Sequence, residues 1–141
     1  ELMSIRNEDY DPEAMSIVIR PDVAKTSRSR TLYLSGMTNS SLRKFLKVKP
    51  KEWEKWLFPT RDGKQLKANV LGRNFRKYCD RIGAKFTPYQ IRHSFATFYL
   101  ENGGDLFTLQ RQMGHTDLQM TKRYMKRCLI SLIEKCKSKL Q

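Results

Sequence analysis

Three segments stand close together in the second half of the chain: Thr87-Pro88-Tyr89-Gln90-Ile91-Arg92-His93-Ser94-Phe95-Ala96-Thr97, then Met113-Gly114-His115-Thr116-Asp117, then Thr121-Lys122-Arg123-Tyr124. The first opens a helix. Thr87 is a good N-cap, and Pro88 suits the first helical position, where the missing N–H would have had no partner. The pattern predicts a helix to Glu101, stopped by Asn102-Gly103-Gly104. Its buried stripe is expected to be Ile91, Phe95, Phe98 and Tyr99. Tyr89, Arg92, His93 and Ala96 then share the other face, because positions three and four apart are helix neighbours. Asp105 caps a short helix to Met113, closed by Gly114, and Thr116 or Asp117 caps a further helix carrying Met120, Tyr124 and Met125.

Upstream, Val70, Leu71, Phe75 and Tyr78 recur at helical spacing over residues 67–82, ending at Gly83. Residues 41–47 read as an amphipathic helix broken before Pro50. Residues 51–57 read as a second one, halted by Phe58-Pro59 and the Arg61-Asp62-Gly63 turn. Two β-prone runs, Met15–Ile19 and Thr31–Leu34, flank a basic stretch from Arg20 to Arg30, which gives an antiparallel hairpin with a long connection. Residues 1–11 read as the end of a helix entering an acidic turn stopped at Pro12. At the far end, Leu129, Leu132, Ile133, Cys136 and Leu140 form an apolar stripe that must bury against its own domain or a neighbouring protomer. The expected fold is one α+β domain over residues 1–141, mainly α-helical, with a small antiparallel β-hairpin or sheet.

With 141 residues, 39% of them hydrophobic, the chain is long enough for one core without disulfides or a metal staple. No apolar run approaches a membrane span, and the opening residues lack the order of a signal peptide, so a soluble, non-exported protein is expected. Cys79, Cys128 and Cys136 form no C-x-x-C pair; reduced thiols are expected, with neither disulfides nor a metal site. Lys and Arg number 28 against 14 Asp and Glu, a net charge of +14. That charge is spread over many segments rather than one amphipathic helix, which favours a polyanionic partner, nucleic acid before membrane.

In order and spacing the three quoted segments resemble the catalytic domain of the tyrosine recombinases, the phage-integrase and Xer-type family. The family block is H-x-x-R-H-x-x-A-T, then L-G-H, then a tyrosine; here Tyr124 stands nine positions past His115. The likeness runs upstream through Leu57-Phe58-Pro59 and the hairpin to residue 1. It implies that Tyr124 is the nucleophile, that Arg92 is the second family arginine and that His115 occupies the His or Trp position. Lys25 matches the lysine of the family's hairpin, with Arg28 or Arg30 as alternatives after a register shift. Tyr89 stands where the family usually has histidine, and a phenol is a poor base near neutral pH. His93, beside Arg92, is expected to be a buried hydrogen-bonding residue rather than a catalyst, with support of that arginine or the phosphate as the alternative. Glu1-Leu2 resembles the end of the family's R-x-x-E-L motif, which implies a first catalytic arginine just ahead of Glu1 and little cleavage by these residues alone.

These residue types suit strand exchange. Attack by a tyrosine oxygen on a phosphodiester spreads charge over the non-bridging oxygens, where preorganised cationic donors lower the barrier. An arginine fork meets two such oxygens at once. The product would be a 3′-phosphotyrosine and a free 5′ hydroxyl, formed without metal, nucleotide or other cofactor. The resemblance therefore implies a site-specific recombinase integrating or excising a phage or mobile element. It would act on double-stranded DNA as a tetramer, with no membrane partner, in the cytoplasm and at the nucleoid of a bacterial or phage-like source. The alternative is a recombinase-like module that binds DNA without cutting it. DNA contacts are expected around Arg92 and from helices 67–82 and 87–101, mostly to phosphates.

Overall fold

Alternation along Ser16–Ile19 sets the first layer: Ile17 and Ile19 are buried while Val18 faces out, as a half-buried strand requires. The structure is a computed structural model describing residues 1–24 and 27–126. The chain forms two compact units, Glu1–Asn74 and the residues from Phe75 onward. In the first, strands β1 (Tyr10–Asp11), β2 (Ser16–Ile19) and β3 (Arg30–Tyr33) make an antiparallel sheet in that order. Tyr10 lies opposite Ile17, and Ile17 opposite Leu32. The predicted hairpin is thus β2–β3, extended to a three-stranded sheet by Tyr10–Asp11, where the sequence alone suggests a turn. Residues 2–4 and 7–9 are single 3₁₀ turns rather than the end of an α-helix.

Helix α1 (Gly36–Val48) begins five residues earlier than the 41–47 reading, because Ser35 caps it by accepting from the Thr38 N–H at 3.2 Å. Leu42 packs with Ile5, Tyr10, Ile17, Ile19, Ala24 and Leu57 in the core of this unit. Tyr10 donates its hydroxyl proton to Asn39 Oδ1, and Asn39 Nδ2 donates to the Pro12 carbonyl at 3.0 Å, pinning helix to sheet. Residues 51–57 are not helical. The Leu57 N–H instead donates to the Ile5 carbonyl at 2.9 Å, and Trp56 bridges to Arg6, so the chain here is committed to a distant extended segment.

Helix α2 (Ala68–Arg81) spans the division between the units and ends as predicted. Gly83 has φ 64°, its N–H donates to the Asp80 carbonyl and that of Ala84 to Cys79, the Schellman arrangement. Cys79 is its buried residue, with Leu71 and Phe75 half-buried on the same side; Tyr78, expected in that stripe, is exposed.

In the second unit, α3 (Pro88–Glu101), α4 (Leu106–Met113) and a helix α5, described over 118–126, begin at or within one residue of their predicted starts. Ala96, Leu109, Met113 and Tyr124 form the core, with Tyr99 and Leu100 against it. The expected α3 stripe is met only in part: Tyr99 packs against this core, but Ile91, Phe95 and Phe98 are exposed and Ala96 is buried instead. Ala96, fully buried, packs against Leu109 and Met113 of α4 and Tyr124 of α5. Among the described residues no helix is long and apolar enough to cross a membrane. The predicted apolar tail 128–141 lies outside the described residues.

Candidate active site

The site grows from the two ends of short helices. At the start of α3, the Gln90 N–H donates to Thr87 Oγ1 at 3.1 Å while the Thr87 N–H donates to Gln90 Oε1 at 2.8 Å, a capping box that fixes the first turn. Tyr89 lies in that turn, with Arg92 and His93 one turn on. The Arg92 guanidinium donates to the Met113 carbonyl, at the negative end of α4 where a cation is favoured.

Immediately after Met113, Gly114 takes φ 66° and ψ 32°, a left-handed turn that glycine adopts without a Cβ clash. Its N–H donates to the Arg111 carbonyl at 3.1 Å, and the His115 N–H donates to the Gln110 carbonyl at 3.1 Å. Gln110 also donates its side-chain amide to the His115 carbonyl at 3.3 Å, so the backbone of His115 is held on both sides.

The His115 ring is oriented by α5. Its Nδ1 lies 2.8 Å from Oγ1 of Thr121, a fully buried residue, and α5 is itself capped by Asp117, which accepts from the Gln119 N–H at 2.8 Å. Tyr124 stands one turn beyond Thr121 on the same face. Its ring is buried and runs nearly parallel to His115, 3° apart with centroids 6.3 Å apart. On its other neighbour, His93, the centroid distance is 5.2 Å at 50°, and Tyr89 meets His93 edge-on at 4.1 Å. His93 Nδ1 is buried and has no hydrogen-bond partner among the described residues. Burial first, and then the charges of Arg92 and His93, hold the His115 imidazole below the usual histidine range, so it is neutral near pH 7.

Tyr124, His115, His93 and Tyr89 thus form a run of rings in one unit, with Arg92 anchored at the helix end that presents His115. Lys25 lies outside the described residues. Arg28 and Arg30 belong to the first unit, where Arg30 forks onto Glu1 at 3.0 and 2.7 Å. Thr121 and Gln110 were not anticipated as site residues. The signal for Thr121 was its place three residues before Tyr124, and for Gln110 the Gly114 cap, whose bonding reaches back to that carbonyl. Chemically, the arrangement offers a guanidinium, a neutral imidazole and a phenol.

The family profile described as Phage integrase family matches residues 1–128. Tyrosine recombinase XerA of Thermococcus onnurineus is 30% identical over 128 residues, 89% of this chain and 45% of that protein. Tyrosine recombinase XerA of Pyrococcus horikoshii is 32% identical over 143 residues, 97% of this chain and 49% of that protein. Among solved structures, a XerA recombinase superposes with TM-score 0.80 at 24% identity, covering 96% of this chain and 51% of that one. A XerH site-specific recombinase bound to palindromic difH substrate, in a post-cleavage complex, gives 0.73 at 22%, covering 95% and 39%. At those identities the structures speak for the fold, which is that of the expected catalytic domain. The chain spans about half the length of the curated relatives it matches. With a match over most of its residues, the chain belongs to the phage integrase family.

Proposed function

We propose that the chain is the part of a site-specific DNA recombinase that breaks and rejoins strands through Tyr124. The observation that carries this reading is the gathering, in one unit, of the Tyr124 phenol, the parallel His115 imidazole and Arg92 at the terminus just before His115. Tyr124 Oη gives up its proton to solvent and attacks phosphorus, the P–O5′ bond breaks, and a 3′-phosphotyrosine forms while the departing 5′ oxygen takes a proton from an acid on the protein. A 5′ hydroxyl from another strand then displaces the tyrosine. Arg92 has five N–H donors, so its bond to the Met113 carbonyl leaves several for phosphate oxygens. His115, neutral, donates one hydrogen bond to the same anion. Lys25 is the proton donor in this scheme, and Tyr89 contributes a hydrogen bond rather than a base. Double-stranded DNA is the partner and a tetramer on DNA the working assembly, at the nucleoid of a bacterial or phage-like cell. The DNA complexes of the XerH recombinase and of the Tn1549 transposon integrase support the DNA assignment.

A second reading, a module that binds DNA without cutting it, is favoured by Tyr89 alone. A suicide substrate with a nicked site separates the two, used with the full-length protein because relatives are about twice as long as this chain. A covalent adduct that Tyr124→Phe abolishes is expected. Tight binding with no adduct would replace the enzyme with the module.

A further inference from the structure

We propose that Thr121 is a positioning residue that fixes which nitrogen of His115 carries the proton, an inference that rests on the reading above. Its hydroxyl donates to Nδ1 of His115, which leaves Nε2–H as the ring's donor for the DNA phosphate.

The hydroxyl sits 2.8 Å from Nδ1, and Thr121 has no solvent exposure, so water does not compete for its hydroxyl, while the His115 ring is half-buried. A neutral imidazole has a single N–H, and the partner at one nitrogen decides where it resides. A carbonyl or carboxylate against Nδ1 would only accept, forcing the proton onto Nδ1 and turning Nε2 into an acceptor that repels an anion. A hydroxyl can donate or accept; donating to Nδ1, it holds the proton on Nε2, the tautomer an anion needs. Helix interiors offer such hydroxyls another course: Thr97 on α3 donates to the His93 carbonyl one turn back, at 3.1 Å. Thr121 instead faces a ring.

Its position adds a coupling. Thr121 and Tyr124 are three residues apart on α5, so the helix that places the nucleophile also orients the imidazole beside it. Displacing α5 would disturb both groups together. The backbone of His115, held by Gln110 from α4, fixes the ring's origin but not its rotation; Thr121 supplies the rotation.

Thr121→Val removes the hydroxyl at nearly constant volume, and Thr121→Ser keeps the hydroxyl while losing a methyl. Losing a histidine's orienting partner costs about 10- to 100-fold at metal sites, and Thr121→Val is expected to slow adduct formation on the suicide substrate by at least about tenfold with DNA affinity unchanged. Thr121→Ser should restore most of the rate. The opposite order, Val active and Ser impaired, would reduce Thr121 to packing and overturn the proposal. An independent readout is the imidazole nitrogen spectrum of this chain, which has two histidines. The expected pattern is protonated Nε2 and hydrogen-bonded Nδ1 on His115, with the Nδ1 signal moving to its unbonded position in Thr121→Val. A proton on Nδ1 in the parent chain, or no change in the variant, would also overturn it. If the parent full-length protein gives no adduct at all, the recombinase reading fails, while the nitrogen signals still judge Thr121.

Discussion

A histidine held below its usual pKa makes the stability of its domain depend on pH in one direction. Desolvation is the larger cause at His115, ahead of the charges of Arg92 and His93, and all three favour the neutral ring in the folded state. The unfolded chain therefore takes up a proton at higher pH than the folded one. The stabilising contribution is complete above the unfolded value of about 6.5 and is lost as pH falls through the lower folded value. Melting curves between about pH 5 and 7 should show stability dropping as acid is added, and dropping less in His115→Gln, which removes the depressed imidazole. Followed directly by ring resonances, His115 should titrate below an ordinary histidine. Arg92→Gln should raise that midpoint only part of the way, because burial persists when the charge is gone. A midpoint at or above the ordinary value would contradict the electrostatics of the site.

At the level of elements, Gly104 is a point where packing leaves no room. A Cβ built there would lie 2.2 to 2.6 Å from ring atoms of Tyr99, which packs on the Ala96, Leu109, Met113 and Tyr124 core. Gly104→Ala must push that ring or the α3–α4 connection aside, and overpacking of this kind costs about 1–3 kcal/mol. Denaturant unfolding should register the loss; unchanged stability would mean that Tyr99 has a second place to go. Gly103, with φ 80° and no atom near an added Cβ, involves backbone strain alone. The sequence marks the caps well, since Thr87-Pro88, Asp105, Gly114 and Gly83 act through bonds to residues a few positions away. It marks the α3 face only in part: Tyr99 packs on the core as expected, but Ile91, Phe95 and Phe98 are exposed and Ala96 is buried, and periodicity does not choose among apolar residues spread around a helix. Residues 51–57 and Tyr10–Asp11 misled for another reason: their partners, Ile5 and Arg6 in one case and β2 in the other, lie across long or irregular connections that local propensity does not register.

For the whole molecule, a charge of +14 overstates what is available to a polyanion. Arg20 lies 3.2 Å from the buried carboxylate of Asp9, and Arg30, whose side chain is 13% exposed, is bidentate on Glu1. Arg20, just after β2, and Arg30, which opens β3, hold the first unit together, although the sequence counts them with the basic surface. On α2, by contrast, Arg73, Arg76 and Lys77 are exposed. Each phosphate neutralised adds about −0.9 to the slope of log affinity against log salt on duplex DNA, so the two groups of charges should separate in one experiment. Binding should weaken steeply as salt rises. Arg73→Gln and Arg76→Gln should each flatten the slope by about one unit and leave the melting temperature nearly unchanged. Arg30→Gln should lower the melting temperature and leave the slope alone. A slope insensitive to the α2 arginines would move the DNA face off α2, and a slope near zero for the parent chain would remove the polyelectrolyte basis for DNA binding altogether.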